Sequence, residues 1–364
     1  MLFVAISSSL PAQSDPQDPA ITRQILNPTQ WRQLDQTVDN GLRFLASRQE
    51  ADGSFPTLKH AKPGVTSLCV LAFLSRGHLP NEGQYGKQIQ RAIEFVASAQ
   101  KPNGLLTREP LENGLPSHGV SHVAMYNHGI SGLMLSEAYG VTGAAHNDPL
   151  HSVIAKALEF SFSKQNRRSL PNTSRGGFDY ATSSFYNDLP ITSCQLLFFR
   201  SARNAGFEVP AEHIDDALLF VKSCYDPRES IFRYRDHHTY SRGVTACGIL
   251  ALSLAGEHQT EIARSAGAWL GTQSFDRFNR SRDSHDRYFY SAYYTSQAMF
   301  QLGGDHWNKF YPPLLDVLSK NQLDDGSWDR ELGSDTARYG NAYSSSLAIL
   351  ALTPPYQILP IFQR

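Results

Sequence analysis

The residues best suited to chemistry are histidines, tyrosines and arginines in the loops that precede six apolar segments. The second loop reads SHGVSHVAMYNHG and carries His118, His122, Tyr126 and His128. Seven of the thirteen histidines lie in these loops, although loops normally favour Gly, Ser, Asn and Asp. Such a collection of titratable and aromatic groups suits either a ligand-binding mouth or an ordinary polar loop surface.

We predict that these side chains meet at one mouth of a central cavity and form the working surface. Groups that could exchange a proton with a ligand or neutralise its charge are the catalytic candidates. They are His237, Asp188, Tyr240, Arg242 and Tyr290. The ligand-binding candidates are His118, His122, Tyr126, His128, His238, His285, Arg338 and Tyr343.

The same residues give little reason to expect a metal or a cofactor. His118 and His122 would share one face of a helix, and His128 or His237 could complete a ligand set, but the Gly and Pro around them disfavour a helix there. The four cysteines form no CxxC pair and are interpreted as small buried hydrophobes. We therefore predict no metal site and no cofactor.

Hydroxyl residues recur where each apolar segment begins. They have two interpretations: packing and capping of helix starts, or a ring of donors around a ligand. The residues are Thr66, Ser131, Thr192, Thr245, Thr295 and Ser345.

The segments that must position these residues form a repeat. Leu314–Leu352 reads as a helix, the turn Asp-Asp-Gly ending at Gly326, then Trp328 and a second, apolar helix. The plan occurs six times, as two helices joined by a turn. Glutamines mark five of the turns, and Cys224 takes the fourth place; the glutamines are Gln49, Gln100, Gln165, Gln273 and Gln322.

The first helix of each pair is amphipathic and the second is apolar on most sides. An amphipathic helix suits an outer layer with one face in water, and an apolar helix suits an inner layer. Six pairs side by side predict an all-α (α/α)6 toroid over residues 28–364. An open solenoid is the alternative, but no end repeat carries an obviously polar capping face.

The turns also resemble a known family. Gln322 to Trp328 (QLDDGSW) and Gln49 to Phe55 (QEADGSF) are similar to the QxxxGxW/F repeat of terpenoid cyclases and protein-prenyltransferase β subunits. The resemblance implies an α/α toroid. The acidic DxDD motif, the DDxxD metal box and the Asp-x-Cys zinc site of that superfamily are all missing from the sequence, so their chemistries are not carried over.

Three functions follow as alternatives. The first is binding or conversion of an isoprenoid or another apolar ligand in the central cavity. The second is a polysaccharide lyase or hydrolase, because α/α toroids also host carbohydrate enzymes. The third is a non-catalytic scaffold. An apolar, aromatic cavity favours the first, an open polar groove the second, and a filled cavity the third.

Composition limits the partners. The formal net charge of −1 gives no reason to expect nucleic acid, and no apolar run approaches the roughly 20 residues of a membrane span. Residues 1–20 are interpreted either as a truncated secretory signal or as a disordered tail. The protein is thus expected to be exported or cytoplasmic, with a small molecule or an oligosaccharide as its ligand and its oligomeric state open.

Overall fold

The computed structural model describes residues 25–112, 115–116, 121–143, 148–166, 175–180, 187–234, 240–280, 286–332 and 335–363. Residues 1–24, which include the predicted signal or tail, lie outside these ranges, so that part of the sequence analysis stays a prediction. None of the described helices is both long enough and apolar enough to cross a lipid bilayer.

The described part of the chain is built almost wholly from α-helices. In chain order they are α1 (Pro28–Arg48), α2 (Lys62–Ser75), α3 (Gly86–Ala97), α4 (Ser121–Thr142), α5 (Pro149–Lys164), α6 (Leu189–Asn204), α7 (Ala211–Ser223), α8 (Arg242–Leu254), α9 (Glu261–Gly271), α10 (Tyr288–Leu302), α11 (Gly304–Lys320) and α12 (Gly340–Leu352). Short 3-10 helices are Lys59–Ala61, Asp335–Tyr339, Pro354–Tyr356 and Pro360–Phe362. Two small hairpins pair β1 (Leu111–Glu112) with β2 (Leu115–Pro116) and β3 (Tyr225–Asp226) with β4 (Ile231–Phe232).

The helices form two concentric layers, as the sequence predicts. Each even-numbered helix packs against the even-numbered helices on both sides, and α12 packs against α2, so the inner ring is closed. The outer layer also meets across the join, where Thr37 Oγ1 of α1 donates to Ser319 Oγ of α11 at 3.0 Å. Inner helix α2 is buried from Pro63 to Ser75, whereas outer helices such as α1 bury only one face. The (α/α)6 toroid is therefore confirmed.

Four of the turn glutamines fasten their turn to the next outer helix. The carboxamide of Gln322 donates to the carbonyl of Gly326 in its own turn at 2.9 Å and to that of Thr37 in α1 at 2.9 Å. Three others make the same two bonds: Gln49 with Gly53 and Gln88, Gln100 with Gly104 and Val153, Gln165 with Gly176 and His213. Each therefore joins a backbone carbonyl of its own turn to a backbone carbonyl of the next outer helix.

The glycine and the aromatic residue of the turn have steric roles. Gly326 has φ +87°, and a Cβ there would lie 2.4 Å from the carbonyl oxygen of Asn40 in α1. Trp328 follows, is fully buried and donates its indole N–H to the carbonyl of Leu318 at 2.8 Å. The glycine thus lets the turn approach the next outer helix closely, and the tryptophan fills the space beneath the turn.

Candidate functional site

A cavity of about 400 Å³ lies inside the inner ring. Its lining recurs every three or four residues along the inner helices, starting from their N-terminal turns, as one face of a helix requires. The side chains farthest from those turns are mainly leucines: Leu71, Leu133, Leu197 and Leu347. Eight tyrosines among the described residues also line it: Tyr126, Tyr180, Tyr234, Tyr290, Tyr293, Tyr294, Tyr339 and Tyr343.

The chain's own C-terminal segment closes the end of the ring where the inner helices finish. The backbone N–H of Ile361 donates to Glu137 Oε2 of α4 at 3.4 Å, and Gln301 Nε2 of α10 donates to the carbonyl of Phe362 at 3.0 Å. Ser201 Oγ of α6 donates to the other oxygen of Glu137, and burial raises the pKa of that carboxyl to about 7. Among the described residues, this segment covers one end of the cavity, and the opposite, open end faces the loops that lead into the inner helices.

Asp188 lies at that open end, beside the cavity. It caps α6, accepting the N–H of Ile191 at 2.8 Å on Oδ1, and accepts the hydroxyl of Tyr180 at 2.6 Å on Oδ2. The helix N-terminus favours a negative charge at this position. Because Tyr180 lines the cavity, this phenol connects the Asp188 carboxylate to the cavity wall.

Two of the predicted tyrosines face the cavity next to this pair. Burial, assisted by the negative charge of Asp188, raises the pKa of Tyr126. Burial likewise raises the pKa of Tyr290, whose hydroxyl lies 3.2 Å from Cys247 Sγ. Both phenols are therefore neutral at physiological pH and can donate hydrogen bonds to a ligand. Tyr343 of α12 lines the cavity as well.

Arg287 is the one charged side chain among the described residues that line the cavity. It precedes α10 directly and is half-buried. Its positive charge opposes the rise in the pKa of Tyr126 and of Glu331 that burial causes. Glu331 accepts the N–H of Phe289 at 3.1 Å and the hydroxyl of Thr336 at 2.6 Å.

His128 does not lie at the mouth, so that placement was wrong. It is fully buried between the layers, where Nδ1 accepts the N–H of Leu106 at 3.2 Å and Nε2 lies 2.9 Å from Ser161 Oγ. Burial lowers the pKa of His128 to about 3, so the ring is neutral. Turned outward on α4, it cannot reach a ligand.

His128 has the same role as the hydroxyl residues at the starts of other inner helices. Four accept the backbone N–H that ends the neighbouring turn: Thr66 from Phe55, Thr192 from Phe178, Thr245 from Phe232 and Ser345 from Trp328. In the second repeat His128 takes this role for Leu106. These hydroxyls thus face the turn and not the cavity, so the packing interpretation applies to them and the ring of donors does not.

Arg242 and Tyr240 also point away from the cavity, contrary to the prediction. Arg242 is buried in an ion pair with Asp286 at 2.7 Å, donates to the carbonyl of Ser274 at 2.6 Å and lies 3.9 Å above the ring of Phe275. Tyr240 is 49% exposed and contacts Trp269 on the outer layer. Tyr240 precedes α8 and Arg242 is its first residue, but both side chains turn towards the outer wall.

The other predicted residues are placed as follows. Arg338 is exposed and does not belong to the cavity lining. His118, His237, His238 and His285 lie outside the described residues, and of His122 only the backbone, in the first turn of α4, is described. Among the described residues no group of three or more His, Cys, Asp or Glu side chains could hold a metal ion.

Several lining residues were not among the predicted site residues. They are Tyr180, Tyr234, Arg287, Tyr293, Tyr294 and Tyr339. One sequence signal could have found part of this set. Tyr290, Tyr293 and Tyr294 follow the i, i+3, i+4 spacing of one helix face, so the first of them implicates the other two.

Comparisons with known proteins bear on the fold. No protein-family model matches the sequence, and no curated protein matches it. Among solved structures, a variant of type II terpene cyclase MstE from Scytonema, bound to its substrate geranylgeranyl dihydroxybenzoate, is similar with a TM-score of 0.60 at 13% identity, over 92% of this chain and all of that one. A protein from Actinoplanes matches with a TM-score of 0.59 at 14% identity, over 88% and 98%.

A glycosidase variant matches almost equally well, with a TM-score of 0.59 at 12% identity, over 92% of this chain and 100% of that chain. At such identities the likeness concerns the fold, which is common to enzymes of different chemistry. The chain thus has the α/α toroid fold that these terpene cyclase and glycosidase structures share, as its Gln, Gly and aromatic turn residues predict.

Proposed function

We propose that the central cavity binds one small, mainly apolar molecule of the isoprenoid type. The observation that carries this proposal is the lining and closure of the cavity. Leucines and tyrosines line it, and the C-terminal segment closes its far end. Its volume of about 400 Å³ lies within the roughly 300–1,000 Å³ of small-molecule sites. An apolar chain gains free energy from every CH₂ group that it buries there.

The similarity to MstE supports the ligand class. The structure of that cyclase contains a substrate that combines a geranylgeranyl chain with a dihydroxybenzoate. The cyclase has the same fold as this chain. Tyrosine faces would suit such a chain, because aromatic rings pack against flexible apolar groups and can also attract a positive charge.

The acid–base group that we propose is the pair Tyr180 and Asp188. A proton leaving the ligand would pass to the phenol oxygen of Tyr180, while the phenol's own proton moves along the 2.6 Å hydrogen bond to Asp188. Tyr290 remains a candidate donor because its hydroxyl faces the same cavity. Arg242 and Tyr240 leave the proposal because both point away from it.

Carbohydrate cleavage is the second candidate, since a glycosidase shares the fold. Most glycosidases need two carboxyl groups on opposite sides of the scissile bond. None of the lining residues in the described part of the chain is Asp or Glu. A closed end also leaves no path for a polymer through the ring. For these two reasons we rank carbohydrate cleavage behind the binding of an apolar ligand.

Binding measurements on the full-length protein separate the candidates. We expect geranylgeraniol to bind and to quench tyrosine and tryptophan fluorescence, whereas soluble oligosaccharides do not. Leu133→Trp fills the floor of the cavity and should weaken binding by about tenfold or more, because it removes the space for the chain. Leu219→Trp, on an α7 residue that is 61% exposed, is the matched control and should bind normally.

The opposite pattern would decide against the proposal. Binding of an oligosaccharide without geranylgeraniol would favour carbohydrate chemistry, and binding of neither would favour a scaffold. Thermal unfolding of both variants shows whether a loss of binding reflects the cavity or the fold.

A further inference from the structure

We propose that residues 358–363 form a plug that opens and closes with the protonation of Glu137, and that its opening gives the central cavity a second port. The plug is the last described part of the C-terminal segment, and it covers the far end of the inner ring. Such a switch controls access to the cavity, whatever the class of its ligand. It therefore goes beyond the proposed function and does not depend on it.

Glu137 lies between the floor of the cavity and the plug. It follows the lining residue Leu133 by one turn on the same face of α4. Its Oε2 accepts the N–H of Ile361 at 3.4 Å, and its Oε1 accepts the hydroxyl of Ser201. Burial raises the pKa of the lining residue Tyr293, and the charge of Glu137 adds to this rise. One carboxyl thus bonds to the plug and lies close to the cavity.

The plug begins at a fixed anchor and a strained joint. Tyr356 is the anchor, because its hydroxyl donates to Asp35 at 2.8 Å and Arg76 lies 4.6 Å above its ring. Gln357 follows with φ +51°, in the left-handed region that strains residues other than glycine. The chain can therefore change direction at Gln357 while Tyr356 stays in place.

Beyond this joint, side-chain hydrogen bonds and burial hold the plug. Gln301 Nε2 donates to the carbonyl of Phe362 at 3.0 Å, and Ile361 donates to Glu137. The side chains of Leu359, Ile361 and Phe362 are buried, which makes the closed form the main one. A short segment without an α-helix or a strand can open locally while the helices stay folded. Its opening would bring water to Glu137.

The two protonation states of Glu137 favour different positions of the plug. Burial raises the pKa of Glu137 from its ordinary 4.5 to about 7, against the hydrogen bonds from Ser201 and Ile361. Within the described part of the chain no cation acts on this carboxyl, and the buried phenol of Tyr293 beside it is neutral. Water that enters on opening moves the pKa back towards 4.5, so the open form binds fewer protons. The plug is thus firmest below pH 4.5 and loosens as the pH rises to about 7.

Hydrogen exchange of the full-length protein, followed by mass spectrometry, tests this switch. The amides of Ile361, Phe362 and Gln363 all donate hydrogen bonds in the closed plug, so a peptide that contains them reports its opening. Protection is the intrinsic exchange rate at each pH divided by the measured rate. We expect protection of the plug to fall about tenfold or more between about pH 5 and pH 7.5. The two pKa values limit the whole change to about 300-fold.

Two variants locate the effect. Glu137→Gln keeps the shape and the hydrogen-bonding atoms but removes the charge, so protection of the plug should no longer vary with pH. Glu109→Gln is the matched control. Burial also raises the pKa of Glu109 to about 7, but this residue precedes α4 and lies in the loop at the open end. Its replacement should leave the pH dependence of the plug unchanged.

The outcomes are distinct from those of the proposed function, because exchange is measured without a ligand. Protection that stays constant over this pH range, or that still varies in Glu137→Gln, overturns the plug and leaves the apolar ligand standing. If Glu137→Gln does not fold, Gln301→Ala replaces it, since it removes the other anchor and keeps the carboxyl. Protection in Gln301→Ala should then be lower at every pH with the same pH dependence, and any other result overturns the proposal.

Discussion

The fifth and sixth turns occupy equivalent places in the toroid but are held by different interactions. In the sixth turn Gln322 joins two backbone carbonyls, Gly326 lets α1 approach, and Trp328 fills the space below. In the fifth turn the carboxamide of Gln273 donates to the adjacent Thr272 hydroxyl at 2.7 Å. There the buried side chain of Arg242 binds the carbonyl of Ser274 instead.

The fifth turn is thus held by an ion pair between residues that are distant in sequence, whereas the sixth is held by a local motif. Arg242 comes from the start of α8, stacks on Phe275 and is neutralised by Asp286, which immediately precedes Arg287 and α10. One arginine therefore links two inner helices to the turn between them. The two turns show that a buried backbone carbonyl needs a hydrogen-bond donor, and that this donor can come from a residue close in sequence or from a distant one.

Loss of the arginine should have the largest effect. Arg242→Met keeps an apolar body of similar length but leaves Asp286 buried without its counter-charge, so we expect the free energy of unfolding to fall by about 3–5 kcal/mol. Urea denaturation measures it. The double variant Arg242→Met with Asp286→Leu should recover most of the loss, because a buried pair can be replaced by apolar groups.

No recovery in the double variant would mean that the bond to Ser274 and the stacking on Phe275, and not the buried charge, stabilise the fifth turn.

The sixth turn should respond most to its glycine. Gly326→Ala forces a Cβ into a residue with φ +87° and within 2.4 Å of the Asn40 carbonyl. The backbone strain costs about 1–2 kcal/mol, and displacing α1 adds about 1–3 kcal/mol. Gly256→Ala is the control, because Gly256 has φ +82° and open space around it. Equal losses in the two variants would refute the role of close approach.

These two turns also show what the sequence could and could not predict. The sequence could predict the six helix pairs, the two layers and the Gln–Gly turns, because these features depend on local and periodic patterns. The pair of Arg242 and Asp286 joins residues far apart in sequence, so Arg242 resembled a catalytic group. The orientation of the inner helices was equally hard to predict: α4 has apolar residues on most sides, and its pattern does not indicate that His128 faces outward and Tyr126 inward.

The glutamine should contribute less than the glycine. Gln322→Ala removes two hydrogen bonds, each with a net value of about 0.5–1.5 kcal/mol, so we expect a loss of about 1–3 kcal/mol in urea denaturation. Gln273→Ala is the matched change in the fifth turn; the bond from Gln273 to Thr272 is exposed to solvent, so we expect a smaller loss, within about 0.5 kcal/mol. A similar loss in both would show that Gln273 also holds its turn to the wall.

The smallest expected effect is a pH dependence of the sixth turn. The bonds that Ser327 donates to Asp325 from its hydroxyl at 2.6 Å and its N–H at 3.0 Å hold the pKa of Asp325 below its ordinary value of 3.8. A carboxyl whose pKa is lower in the folded state contributes stability above its unfolded pKa and loses it as the pH falls through the folded value.

The size of this contribution is below about 1 kcal/mol, because Asp325 is half-exposed and its interactions are screened by water. We therefore expect the unfolding free energy of Asp325→Asn to change less between pH 6 and pH 2.5, about the range of carboxyl titration, than that of the unaltered protein. If the unfolding free energy of Asp325→Asn varies with pH as that of the unaltered protein does, the Asp–Ser bonds add nothing to the sixth turn, and its advantage over the fifth lies wholly in Gln322, Gly326 and Trp328.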